Sequence, residues 1–175
     1  MNFKALTPRF FLAVTVIVIA SFARILPHWP NVTPIAAMAL FGGVYFNRKI
    51  IAFLIPLIAL LLSDFIIGFH NTMWSVYAAF IITVGIGLII RNKVNSKSII
   101  IASLSSSVLF FIITNFAVWC TGMVGYPMNF SGLMLCYDAA LPFFRNEILG
   151  TLGYNLVFFV SFYLLQANFR IFSKA

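Results

Sequence analysis

Charge is what this sequence has least of. Charged residues make up 8% of its 175 positions, and only three are acids: Asp64, Asp138 and Glu147. A soluble domain of this length needs a far more polar surface. Histidine and cysteine are as scarce, at two each. Neither His28 and His70 nor Cys120 and Cys136 fall at metal-ligand spacing, so no metal site is expected. The cysteines could pair outside the cell, but two free, buried thiols are the more ordinary reading. Phosphate-binding glycine loops, nucleophile elbows and paired zinc-ligand histidines are missing as well, which excludes an ATP site of its own and argues against an enzyme. No cofactor is expected.

Apolar residues fill the space that charge leaves. They account for 63% of the chain, and the mean hydropathy is +1.08. A helix that crosses a bilayer needs about 20 apolar residues. Runs suited to this lie at 10–26, 34–46, 50–69, 73–90, 99–120 and 146–168, the second of them short. Backbone groups in lipid must bond within their own segment, so such runs are helices. Pro34 suits a helix start, and Pro56 predicts a kink in the third helix. The expected fold is an all-α integral membrane protein, a compact single-domain bundle of about six transmembrane helices. Lys4 and Arg9 followed by an apolar stretch and Ser21-Phe22-Ala23 also suit a cleavable signal peptide. Ile25 and Leu26 continue the run, so a retained first helix is expected.

The net charge of +8 is a topology signal. Basic residues do not cluster with stacking aromatics, so nucleic acid is not an expected partner. Six spans place Lys4, Arg9, Arg48, Lys49, Arg91, Lys93, Lys97, Arg170 and Lys174 on one side, and leave only Arg24 and Arg145 for the other. By the positive-inside rule the first group is cytoplasmic. Both termini are then cytoplasmic, in a cell (inner) membrane.

The same map gathers the acids, both histidines and the three tryptophans at the outer side. Asp64 lies inside an apolar stretch, where an acid is expensive and usually faces a cavity or a partner; Arg24, Arg145 or His70 could supply that partner, and a structural ion pair is the bland alternative. The segment 121–145 contains Gly122, Gly125, Pro127, Gly132 and Pro142 among aromatics, and predicts a lid-like outer loop. Candidate solute-binding residues are His28, Trp29, Asp64, His70, Trp74, Asn115, Trp119, Tyr126, Tyr137, Asp138, Arg145 and Glu147. The bland alternatives are an interfacial aromatic belt for Trp29 and Trp74 and helix bridging for Asn115, Thr114, Thr151 and Asn155. Ala36, Ala39 and Gly43 share one helix face, and Ser75, Ala79, Thr83 and Gly87 share another; both predict close helix packing.

The stretch from Leu26-Pro-His-Trp-Pro-Asn-Val-Thr-Pro to Phe41-Gly-Gly, with Ser63-Asp64, Gly68-Phe69-His70, Thr114-Asn115-Phe116 and Ala140-Leu-Pro-Phe-Phe, resembles an uncharacterised family of membrane transport proteins. That family is similar in turn to the S components, the substrate-binding subunits of energy-coupling factor vitamin transporters. The resemblance implies six helices, cytoplasmic termini, and an outward pocket for a vitamin-like or precursor solute. It also implies an energising ATPase/transmembrane module as partner, besides the lipid bilayer. S components often dock that module through an Ala-x-x-x-Ala face on the first helix. Ala13, Ala20 and Ala23 do not make that spacing, and Ala39-x-x-x-Gly43 is the nearest substitute. A proton-coupled secondary transporter and a non-transport scaffold that binds partner helices are the competing expectations.

Overall fold

The computed structural model describes residues 7–172; Lys4 and Lys174, both assigned to the cytoplasmic side above, lie outside the described residues. Within that range the chain is a bundle of six α-helices: α1 (Pro8–Ala23), α2 (Ile35–Tyr45), α3 (Lys49–Ile67), α4 (Met73–Ile90), α5 (Ser96–Thr121) and α6 (Phe130–Asn168). A 3-10 turn (Arg170–Phe172) follows. The last four helices are long and apolar enough to cross a membrane, whereas α1 and α2 are shorter. The outside of the bundle is apolar, with Phe11, Leu62, Ile89 and Val157 among its exposed side chains. This is the surface a bilayer would cover.

Helix boundaries follow local chemistry. Thr7 caps α1 through a hydrogen bond from the Phe10 amide, and Pro8 occupies the first turn, where no amide hydrogen is needed. Asn95 and Ser98 form a reciprocal capping box at the start of α5. Gly122 closes α5 in the left-handed region at φ 63°, which glycine adopts without a Cβ penalty.

α2 is the axis of the molecule. It is apolar on every side, so it buries every side, and the ten residues 35–44 are all buried. A helix without a polar face belongs inside a protein. Its eleven residues extend only about 16 Å, roughly half the hydrocarbon thickness. The chain between α1 and α2 is therefore irregular, and it packs on α6: Asn146 donates to the Pro30 carbonyl at 3.0 Å, and a Cβ added to Gly150 would meet the Val32 backbone at 3.0 Å.

α4 lies against α2 through the two small-residue faces. A Cβ on either Gly43 or Gly87 would come within 2.9 Å of the other's Cα, so the two backbones touch. Ala36, Ala39, Ser75, Ala79 and Thr83 are buried alongside. At the same end Arg91 donates to the Phe46 carbonyl at 2.8 Å. Arg9, Arg48 and Arg91 share this end with the N-terminus of α5, making it the basic end of the bundle.

The last helix corrects the expected lid. Residues 130–145, read as loop, are the first turns of α6, and the irregular connection is only 122–129. Two supposed breakers serve other purposes. A Cβ on Gly132 would overlap the Pro127 carbonyl, so glycine there lets the turn fold back onto the helix. Asn129 caps that turn by accepting from the Gly132 amide at 2.9 Å. Pro142 lies within the helix, where neighbouring helices can satisfy the freed backbone groups. Across the hairpin, Tyr137 donates to the Ile112 carbonyl at 2.7 Å, and Phe111 stacks on Phe144 at 4.4 Å between centroids.

Candidate functional site

The candidate residues divide among three places, and no single outer pocket collects them. The first place joins α1, α3 and α4. Asp64, three residues before the end of α3, is 6% exposed and forms an ion pair with Arg24 at 2.8 Å. Of the three partners considered, α1 supplies the one used. Arg24 also donates to the Ser63 hydroxyl and to the Leu60 carbonyl, and the Tyr77 hydroxyl donates to the other Asp64 oxygen at 2.8 Å. The carboxylate is thus answered on both oxygens. Asp64 lines none of five hollows of about 50 to 500 Å3 found among the described residues.

The second place is the interface of α5 and α6. Glu147 is 4% exposed and accepts a hydrogen bond from Thr151, one turn further on, at 2.9 Å. The Ser107 hydroxyl of α5 faces the same carboxyl without completing a full hydrogen bond. One turn lower on both helices, Asn155 donates to Ser103 at 2.8 Å, leaving its own carbonyl oxygen unpartnered. Glu147, Thr151 and Asn155 recur every four residues, as do Ser103 and Ser107, so each set occupies one face of its helix. Among the described residues Glu147 has no basic partner. A carboxyl in this setting is the most exceptional polar group of the fold, because an acid inside a membrane-spanning helix ordinarily faces a partner or a pathway.

Two adjoining open grooves on the outside of the α5–α6 interface run from the Asn155–Ser103 pair to the basic end, with Leu156, Val160 and Tyr163 exposed along them. The first, about 260 Å3, is lined by Ser103 and Asn155 together with Ile99, Phe159 and Val160. The second, about 350 Å3, shares Ile99, Phe159 and Val160 and extends to Asn95 and Tyr45.

The third place is the surface of the end opposite the basic one. His28, Trp29, His70, Trp74, Asp138 and Arg145 are exposed there. His28 and His70 bond only locally, to the Leu26 carbonyl and the Thr72 hydroxyl. Trp119 donates to the Pro127 carbonyl at 3.0 Å, and Asn115 donates to the Phe111 carbonyl of its own helix at 2.8 Å. Tyr126 is half-buried in the connection to α6. Tyr137 and Asp138 line an open hollow of about 500 Å3 on the first turns of α6. Cys136 is buried and Cys120 exposed, both as free thiols, so the pair of buried thiols expected from the sequence is half correct.

Tyr77, Ser103 and Ser107 were not among the residues singled out from the sequence, and Ser63 entered only through the family resemblance. The repeat of Ser103 and Ser107 every four residues, in register with the Thr151–Asn155 pair, was the available signal. Residues 4–172 match the model of a family of unknown function (DUF6580). The chain belongs to that family. Comparison with curated proteins and with solved structures gives no match.

Proposed function

We propose that this chain is a small-molecule uptake protein of the cell membrane, similar in role to the S components. In this reading both termini are cytoplasmic, and the basic end is the cytoplasmic end by the positive-inside rule. The solute, vitamin-like or a precursor, is captured at the opposite face. The observation that carries the proposal is Glu147. A buried carboxyl with a hydroxyl for company and no cation is hard to account for as packing, since an apolar residue of similar size would serve better. It is an ordinary feature of a membrane protein that handles a polar or charged cargo.

The scaffold alternative loses its footing in the α2–α4 contact. Gly43 and Gly87 meet each other, so these small-residue faces are consumed inside the bundle. Ala39 is fully buried as well, which makes the Ala39–Gly43 pair unavailable for docking an energising module.

The test uses proteoliposomes carrying the full chain, incubated with a small-molecule cell extract and analysed by mass spectrometry. The wild-type protein should accumulate at least one solute that Glu147→Gln, verified as folded, does not. Equal contents in wild-type, variant and protein-free vesicles would contradict uptake.

A further inference from the structure

We infer that Glu147 is a proton-binding site reached from the basic end along the α5–α6 interface. The inference deepens the uptake reading by giving it a coupling ion in place of the energising module, whose nearest docking pair is buried, and it rests on that reading for its physiological purpose. Three observations support it. Glu147 lies one turn from the point where the irregular α1–α2 connection crosses α6, at Asn146–Pro30 and Gly150–Val32. Its carboxyl is followed by two polar rungs, Ser107 with Thr151 and Ser103 with Asn155, all at most 1% exposed. The lower rung forms part of the lining of the hollow that leads to Asn95 and Tyr45.

The Ser107 hydroxyl, turned toward the Glu147 carboxyl, and the Asn155 carbonyl oxygen are buried without a complete hydrogen bond. Buried polar atoms of this kind are normally met by ordered water. Thr151 and Asn155 are separated by about 6 Å of helix rise, which two hydrogen bonds through one water span. One water between Thr151 and Asn155 would complete a hydrogen-bonded chain from the carboxyl toward the hollow. A proton fits this path better than a metal cation. Glu147 lines none of the hollows above, and a fully enclosed carboxyl with two hydroxyls offers few oxygens to replace a metal's hydration shell.

Among the described residues no charged side chain pairs with Glu147. α5 presents the Ser107 hydroxyl to Glu147. On α6 itself, Arg145 is exposed and Tyr154 is half-buried; on the α1–α2 connection, His28 is exposed. Arg9 of α1 and Tyr45 of α2 meet each other at the basic end, 5.7 Å from guanidinium carbon to ring centroid. The step itself is simple: the carboxylate accepts one proton at one face and becomes neutral carboxylic acid. It returns the same proton along the two rungs to the basic end.

Dicyclohexylcarbodiimide tests this without any transported solute, because it adds to protonated carboxyls in apolar surroundings and leaves an N-acylurea. The wild-type chain is reconstituted in vesicles with the orientation fixed by protease access. Peptide mass spectrometry should find the adduct on Glu147 and not on ion-paired Asp64. Less adduct should form as pH is raised on the basic-end side before labelling, and Ser107→Ala should weaken that dependence. Glu147 unlabelled at every pH in the wild-type protein would overturn the inference, as would labelling that ignores pH at the basic end. Because labelling needs no cargo, failed uptake with intact labelling would sink only the uptake reading.

Discussion

Asp64 and Glu147 are both buried carboxyls, 6% and 4% exposed, yet their surroundings are opposites. Asp64 has a guanidinium at 2.8 Å and a phenol at 2.8 Å. Glu147 has one hydroxyl from its own helix and a second that does not quite reach. Full compensation makes a carboxylate a structural part: here it ties the ends of α1 and α3 to α4, beside a glycine that ends α3 at φ 106°. Missing compensation leaves a group free to change state. The contrast separates the two roles more cleanly than position does, since sequence hydropathy treats the residues alike.

The contrast breaks most visibly at Arg24. Arg24→Ala strands the Asp64 carboxylate, and losing one partner of a buried pair costs about 3–5 kcal/mol. Unfolding in mixed micelles should show a loss of that order. The double variant Arg24→Met, Asp64→Leu should recover much of it. Little change in the single variant would mean that Asp64 is not held by this pair.

Gly87 provides an intermediate effect, and a control unrelated to charge. Gly87→Ala places a methyl group against the Leu40 and Gly43 backbones of α2. Overpacking of this kind costs about 1–3 kcal/mol, and the same unfolding assay measures it. The comparable change at Gly85, where an added Cβ meets nothing within 4 Å, should be neutral or slightly stabilising.

These contacts were legible to different degrees in the sequence. The α2–α4 faces could be read because small residues recurring every four positions have one geometric meaning in an apolar helix. The six helices could be read from apolar run length. The start of α6 could not, because Gly132 and Pro142 are breakers by local propensity, and only the tertiary contact of Gly132 with Pro127 reveals why glycine stands there. Phe130, Met134, Tyr137, Leu141 and Phe144 do recur at helical spacing along this stretch. Arg24 could be named as a candidate for Asp64, but not chosen over Arg145, since side-chain reach depends on helix placement. The Glu147 surroundings depend on the register of α5 against α6, which no local pattern specifies.

Asp64 serves the fold and Glu147 does not; unfolding Asp64→Asn and Glu147→Gln side by side in the same micelles separates the two. Asp64→Asn leaves Arg24 buried without its counter-charge and should lose several kcal/mol, about the 3–5 expected for a broken buried pair. Glu147→Gln keeps the shape and an oxygen for Thr151, and residues retained for function are often neutral or stabilising when replaced. Its stability should stay within about 1 kcal/mol of wild type, the size of one net hydrogen bond, or rise. A loss at Glu147→Gln as large as that at Asp64→Asn would make Glu147 a structural residue and contradict the account.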